Sequence, residues 1–198
     1  MQRTLLVSLG LLALALSLVP AALAARVHVR VEGKTQTIWG AAEPRFEAGA
    51  TPLAALEAAS LLGEFYYHVT PLVFGPYVDQ IGRYQAEGTS GWVFKVNGAS
   101  PPIGADQLEL KDGDRVLWYW ATFGPAGGPE TLSLRRLKPR CYAVAAHNDA
   151  GASRPAAGAV LHVDGRRVRT RAGRGCVGKH RGLVRATLAG TVRSNAVA

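Results

Sequence analysis

Asp112-Gly113-Asp114 sets two carboxylates two residues apart in this chain. Such a pair can hold a divalent cation through carboxylate oxygens, but a calcium loop needs more oxygen ligands than this segment supplies. It therefore reads as a tight turn with solvated carboxylates. The five histidines, His28, His68, His147, His162 and His180, are scattered singly, with no HExxH pair. A GxSxG elbow, a phosphate-cradling P-loop and a GxGxxG turn after a strand are likewise missing, so no pattern of nucleophile, base or cofactor cradle emerges. Cys141 and Cys176 are the only cysteines. They lie too far apart, and without a CxxC, to read as a zinc site. The residue types point away from an enzyme and call for no metal or cofactor.

Aromatic side chains are the better candidates for function. Tyr66, Tyr67, Tyr84, Trp92, Phe94, Trp118, Tyr119, Trp120 and Phe123 fall within 60 residues. Aromatics present large flat area at low entropic cost, which suits a platform for a flat ligand. Along 116–123, Leu117, Tyr119 and Phe123 point one way and Val116, Trp118 and Trp120 the other. One set is expected to face a covering helix and the other to face outward, and tyrosine at 66, 67 and 119 suggests partial solvent access. The candidate ligand-binding set is Tyr66, Tyr67, Tyr84, Trp92, Trp118, Tyr119 and Trp120.

Charge marks a second candidate. Residues 26–130 carry 8 Lys+Arg against 12 Asp+Glu, and residues 131–198 carry 14 Lys+Arg against 2 Asp. The step from net −4 to net +12 indicates two units with different surfaces. Arg166, Arg167, Arg169, Arg171 and Arg181 form a candidate patch for an anionic partner. The segment lacks the interleaved aromatics that stack bases, so anionic wall polymers or lipid headgroups are more natural partners than nucleic acid.

The elements that position these residues can be read along the chain. Met1-Gln2-Arg3, the apolar stretch from Leu5 to Val19 and Ala22-Leu23-Ala24 read as a secretory signal over 1–24. That apolar run is shorter than the roughly 20 residues of a spanning helix. A secreted or extracytoplasmic chain beginning near Ala25 is expected, without a membrane span after cleavage. Arg26 to Glu32 alternates polar and apolar as a half-buried strand, and Thr35 to Gly40 returns antiparallel to it. Thr51 caps a helix with Pro52 at its first position and Gly63 at its end. Phe65 to Val69 is strand-like, and 75–91 is a long polar segment.

Trp92 to Val96 alternates, whereas Val116 to Trp120 is apolar on both faces, as in a central strand. Asn97-Gly98 and Asp112-Gly113 are tight-turn dipeptides. Gly124 to Pro129 reads as a linker. Beyond it, short strands at regular spacing argue a small β-sandwich. In an exported chain Cys141 and Cys176 read as one disulfide, contributing roughly 3–4 kcal/mol on the chain-entropy model.

The fold expected is mainly β with one helix. An N-terminal β-grasp (α+β) domain over 25–124 is followed by a Gly/Pro linker over 125–130 and a basic, disulfide-bonded β-sandwich over 131–198. Gly91-Trp92, Val96-Asn97-Gly98 and Asp112-Gly113-Asp114 with Trp118 resemble the DUF4430 module, which is similar to the C-terminal β-domain of the transcobalamin and intrinsic factor family. That resemblance implies a binding protein, with a corrinoid as a candidate ligand, but the α-barrel that forms the other half of that family's clamp does not precede the domain here. The run Ala157 to Val160, Val163 to Arg166, Thr170 and Gly175-Cys176-Val177 resembles the prealbumin-like, carboxypeptidase regulatory-like modules. The function expected is capture of a flat small molecule. The alternative is a structural or adhesive envelope module that docks through its basic domain.

Overall fold

A computed structural model describes residues 24–198. The expected signal over 1–24 lies outside the described residues, apart from Ala24. Among the described residues no helix is long and apolar enough to cross a membrane.

Strands β1 (Arg26–Glu32), β2 (Thr37–Trp39) and β3 (Arg45–Glu47) precede the single helix α1 (Pro52–Gly63). Then follow β4 (Tyr67–Leu72), β5 (Gly75–Ile81), β6 (Tyr84–Gln85), β7 (Ser90–Val96) and β8 (Arg115–Thr122). The main sheet runs β2-β1-β8-β7, with β3 also on β1, and β1 lies parallel to β8 at its centre. A helix crossing a sheet whose first and last strands run parallel is the expected β-grasp layout. A second sheet, β4-β5-β6, occupies much of the segment that reads as polar and irregular. Glycine at both ends and Pro76 hide the alternation of Tyr77 to Ile81 in the sequence.

Strand periodicity sorts the main sheet into two faces. Val27, Val29, Val31, Trp92, Val116 and Trp118 pack into one core with Leu56 and Ala59 of α1 and Val78 and Ile81 of β5. The pairs Trp92↔Trp120 and Phe94↔Trp118 stack the aromatics of β7 and β8 on that face. The helix begins as expected, with the Thr51 hydroxyl accepting from the Ala54 amide at 3.2 Å. It ends one residue later than expected, since Gly63 is still helical and Glu64 takes the left-handed cap. Gly63 is needed for a different reason. A Cβ there would lie 2.1 Å from Cδ1 of Trp39.

The second unit holds β9 (Thr131–Lys138), β10 (Cys141–His147), β11 (Ser153–Pro155) and β12 (Val160–Val163), followed by β13 (Arg166–Arg169), β14 (Arg174–Cys176), β15 (Val184–Thr187) and β16 (Ala196–Val197). They form two four-stranded sheets, one of β9, β10, β11 and β14 and the other ordered β13-β12-β15-β16. Leu132, Leu134, Tyr142, Val144, Leu161, Val163 and Val184 fill the space between them. Cys141 and Cys176 face each other across β10 and β14 and are joined by a disulfide.

The two units do not hang on a loose linker. Residues 124–127 close a tight turn, and Leu132 donates to the Val192 carbonyl at 3.0 Å. The sandwich covers the second face of the main sheet, where Leu117, Tyr119 and Ala121 pack with Val192. Charge welds the same junction. Fully buried Glu32 pairs with Arg30 at 3.2 Å, Arg193 at 3.0 Å and Arg185, so two guanidiniums of the sandwich converge on a carboxylate of β1. Burial alone disfavours the charge on Arg185, and Glu32 opposes that effect.

Candidate functional site

Packing on both faces decides the fate of the aromatic set. Trp92, Trp118 and Tyr119 are buried, so they offer no open platform, contrary to the expectation of an outward face. The Trp92 indole donates to the Tyr84 carbonyl at 2.8 Å and the Trp118 indole to the Pro52 carbonyl at 3.1 Å. Both are bonds of a satisfied core. Tyr84 and Tyr67 are half-buried against that core, the Tyr84 hydroxyl lying 2.8 Å from Thr35 Oγ1. Tyr119 does not reach solvent, and burial raises its phenol well above its ordinary range. Tyr66 is exposed but stands apart, just past the end of α1. Trp120 borders a hollow of about 280 Å³ shared with Lys34, Thr122 and Arg193, and its indole N–H has no partner among the described residues.

The carboxylates of 112–114 serve the turn. Asp112 accepts from the Arg26 amide at 2.9 Å, while Asp114 accepts from Asn97 and the Lys111 amide, each at 2.8 Å. Among the described residues no three His, Cys, Asp or Glu side chains gather as a metal site.

A larger hollow of about 730 Å³ lies where the main sheet meets the sandwich. Its origin is readable in β10. In Cys141-Tyr142-Ala143-Val144-Ala145-Ala146-His147, Tyr142, Val144 and Ala146 turn into the sandwich core. The period of two then sends Ala143, Ala145 and His147 outward, and two methyl side chains leave a floor with room above it. Leu117 of β8 forms the opposite apolar wall, while Val116, Leu132 and Leu134 border the hollow from strands on which their side chains turn into the two cores. Volume and lining suit a small organic ligand.

Cations ring this cleft. Lys95 reaches it from β7 with its side chain fully buried, bonding the His147 and Asn148 carbonyls at 3.2 and 2.9 Å and the Asp149 carboxylate at 3.2 Å. Burial pushes the Lys95 ammonium below its usual range, and Asp149 works against that shift. Arg30 and Arg115 share Glu43, each at 3.1 Å. Arg135 and Arg136 stand exposed at the rim, and neither meets a carboxylate among the described residues. Five cations against Glu43 and Asp149 make the cleft electropositive.

Ser133 and His147 also line it, with Oγ and Nε2 2.8 Å apart. A hydroxyl on an imidazole is the geometry of a nucleophile and its base, but a base also needs an orienting group on its other nitrogen. Here His147 Nδ1 lies against the backbone of Gly98 and has no hydrogen-bond partner among the described residues. Burial, then the Lys95 ammonium, holds the imidazole below its ordinary value, which favours its neutral form. The pair presents polar atoms to the cleft.

The expected anionic-partner residues Arg166, Arg167, Arg169, Arg171 and Arg181 are all exposed. They do not act alike. Arg166 is spent on the carbonyls of Val177, at 3.0 Å, and Lys179, whereas Arg167, Arg169 and Arg171 meet no carboxylate. Sequence reasoning missed the cleft residues Lys95, Arg30, Arg115 and His147. The alternation of small and large side chains in β10 was the available signal.

One helix on a sheet completed by an N-terminal hairpin is a β-grasp layout. Residues 49–122 match the family model described as "Domain of unknown function (DUF4430)". The matched segment runs through α1 to β8 and excludes β1, β2, β3 and the sandwich. No curated protein matches the chain. A solved structure from Ruminococcus gnavus, described as a "putative metal binding protein", is 20% identical, covers 48% of this chain and 95% of its own, and has a TM-score of 0.38. A likeness of that size says nothing about the ligand of this chain.

Proposed function

We propose that this chain is an exported, non-catalytic binding protein that holds an organic anion with an apolar body in the cleft between its two units. The observation that carries this reading is the cleft itself: an alanine floor opposite Leu117, ringed by Lys95, Arg115, Arg135 and Arg136. Apolar walls supply affinity and a few placed cations fix the orientation of the anionic end. A corrinoid stacked on the tryptophans is the weaker version, since Trp92 and Trp118 are core.

Anilinonaphthalene sulfonate, an anion with an aromatic body, tests the reading directly. Saturable fluorescence enhancement is expected in the wild type, weakened about tenfold in Ala145→Trp, which fills the floor, and in Arg135→Ala. Equal binding by all three proteins would refute the cleft as the site. Saturable tryptophan quenching by cobinamide that persists in Ala145→Trp would return the weight to a corrinoid held elsewhere.

A second reading, docking of the basic sandwich on an anionic wall polymer, is favoured by the exposed, unpaired Arg167, Arg169 and Arg171. It predicts retention on cell walls at low salt and release as screening rises. Retention unchanged by salt would sink it.

A further inference from the structure

A second concave site lies on the far part of the sandwich. The segment Lys179-His180-Arg181-Gly182 joins β14 to β15, and its backbone is pinned from several sides. Asp164, in the turn between β12 and β13, accepts from the amides of Arg181 and Gly182, both at 2.9 Å. These two bonds, with smaller help from Arg166 and His180, hold the Asp164 carboxyl below the ordinary carboxylate range. Arg166 holds the Val177 and Lys179 carbonyls. His180 donates from Nδ1 to the Gly182 carbonyl at 2.9 Å and accepts at Nε2 from the buried Tyr142 hydroxyl at 2.9 Å. A polar loop so constrained fixes the backbone positions from which its outward side chains project.

That array is cationic. Lys179 and Arg181 face Arg136 and Arg140 across a hollow of about 750 Å³, with Tyr142 and His180 at its back. Among the described residues none of the four cations pairs with an Asp or Glu side chain, and the one acidic side chain in the lining, Asp164, is turned onto the loop amides. Arg136 lies 3.5 Å from the main-chain oxygen of Ala198, the last residue of the sequence. Arg140 stands at φ 66°, a left-handed conformation that glycine adopts without strain. The tight turn after β9 thus carries an arginine where the backbone favours glycine.

We propose that this hollow is a binding site for phosphoryl groups, and that the phosphates it takes are those of an anionic wall polymer. Four cations facing one hollow from two segments, the end of β9 with its turn and the loop between β14 and β15, match a tetrahedral oxyanion with three or four acceptor oxygens better than a planar carboxylate with two. The site is distinct from the cleft, with which it shares only Arg136. The choice of a polymer as the source rests on the second reading above. The affinity for phosphate does not.

The experiment compares wild type, a Lys179→Ala/Arg181→Ala variant and a Lys138→Ala/Arg174→Ala variant that loses the same charge from exposed residues outside the hollow. Each is titrated at fixed ionic strength with inorganic phosphate, acetate, long-chain polyphosphate and phosphatidylglycerol vesicles. Saturable phosphate binding is expected, stronger than for acetate, with affinity for phosphate and polyphosphate falling about tenfold in the first variant and less than about twofold in the second. Equal losses in both variants would replace the site with diffuse charge, and no saturable phosphate binding would overturn it outright. Pocket-dependent binding of vesicles but not polyphosphate would keep the phosphoryl site and refute the polymer as its source. Thermal melts of all three proteins separate these outcomes from misfolding.

Discussion

Removing the Glu32 carboxylate tests how the two units are joined. Glu32 is fully buried and receives Arg30, Arg185 and Arg193, while Thr37 Oγ1 lies 3.2 Å from Oε2. Arg30 is itself only 3% exposed, so it cannot turn to water when its partner goes. Glu43 still neutralises part of the cluster, but the remaining guanidiniums repel one another across the junction. Breaking one side of a buried ion pair costs about 3–5 kcal/mol, and Glu32→Ala is expected in that range. For a chain of this size that corresponds to a fall of roughly 10 °C in melting temperature. Glu32→Gln, which keeps shape and one acceptor, should cost less. Urea unfolding followed by tryptophan fluorescence reports the N-terminal unit, because Trp39, Trp92, Trp118 and Trp120 all lie there. Far-ultraviolet circular dichroism reports both halves. Wild type should unfold in one coincident transition, and Glu32→Ala should separate the two probes. Coincident transitions with a loss under about 1 kcal/mol would show that the apolar contacts of Tyr119 and Val192 hold the junction without the ion cluster.

Two more outcomes follow from local geometry. Gly63→Ala should destabilise by about 1–3 kcal/mol, despite the better helix propensity of alanine, because the new Cβ meets the Trp39 indole; an unchanged or raised melting temperature would refute that packing argument. His147 and His162 are both held below their ordinary values, first by burial and then by the Lys95 and Arg167 charges respectively. Their folded pKa values lie below the unfolded value of about 6.5, so the unfolded chain binds more protons between the two and stability falls as pH drops below that value. The His147→Gln/His162→Gln protein should show a flatter dependence between about pH 5 and 7, and an unchanged slope would remove these residues from the account.

The parts of this fold that were legible are those set by local chemistry. Thr51 and Pro52 start the helix, Asn97 and Gly98 take positive φ at 53° and 89°, and the two-sided apolar character of 116–120 marks the centre of the sheet. The disulfide followed from two cysteines alone. What escaped was decided at long range. Tyr119 and Lys95 read as partly exposed or surface residues until a second unit covers their face of the sheet. Glu32 reads as the polar end of an alternating strand, yet the arginines that bury it lie about 150–160 residues away. Strand β5 escaped because Pro76 and Asp79 interrupt its pattern. The cleft depends on which faces meet, and no single segment records that.

The parallel pairing of β1 with β8 sets the boundary of the smallest piece that can fold. A chain cut to the family-matched residues 49–122 loses β1, β2 and β3, and with them Val27, Val29 and Val31. Strand β8 would then be an edge, with a free row of amides and carbonyls beside Val116, Trp118 and Trp120, and its other face would be stripped of the sandwich. A long, apolar, two-sided edge recruits other chains. The matched segment is therefore a unit of descent and not a unit of folding: expressed alone it should self-associate, and solubility returns only with the N-terminal hairpin and a cover for Tyr119.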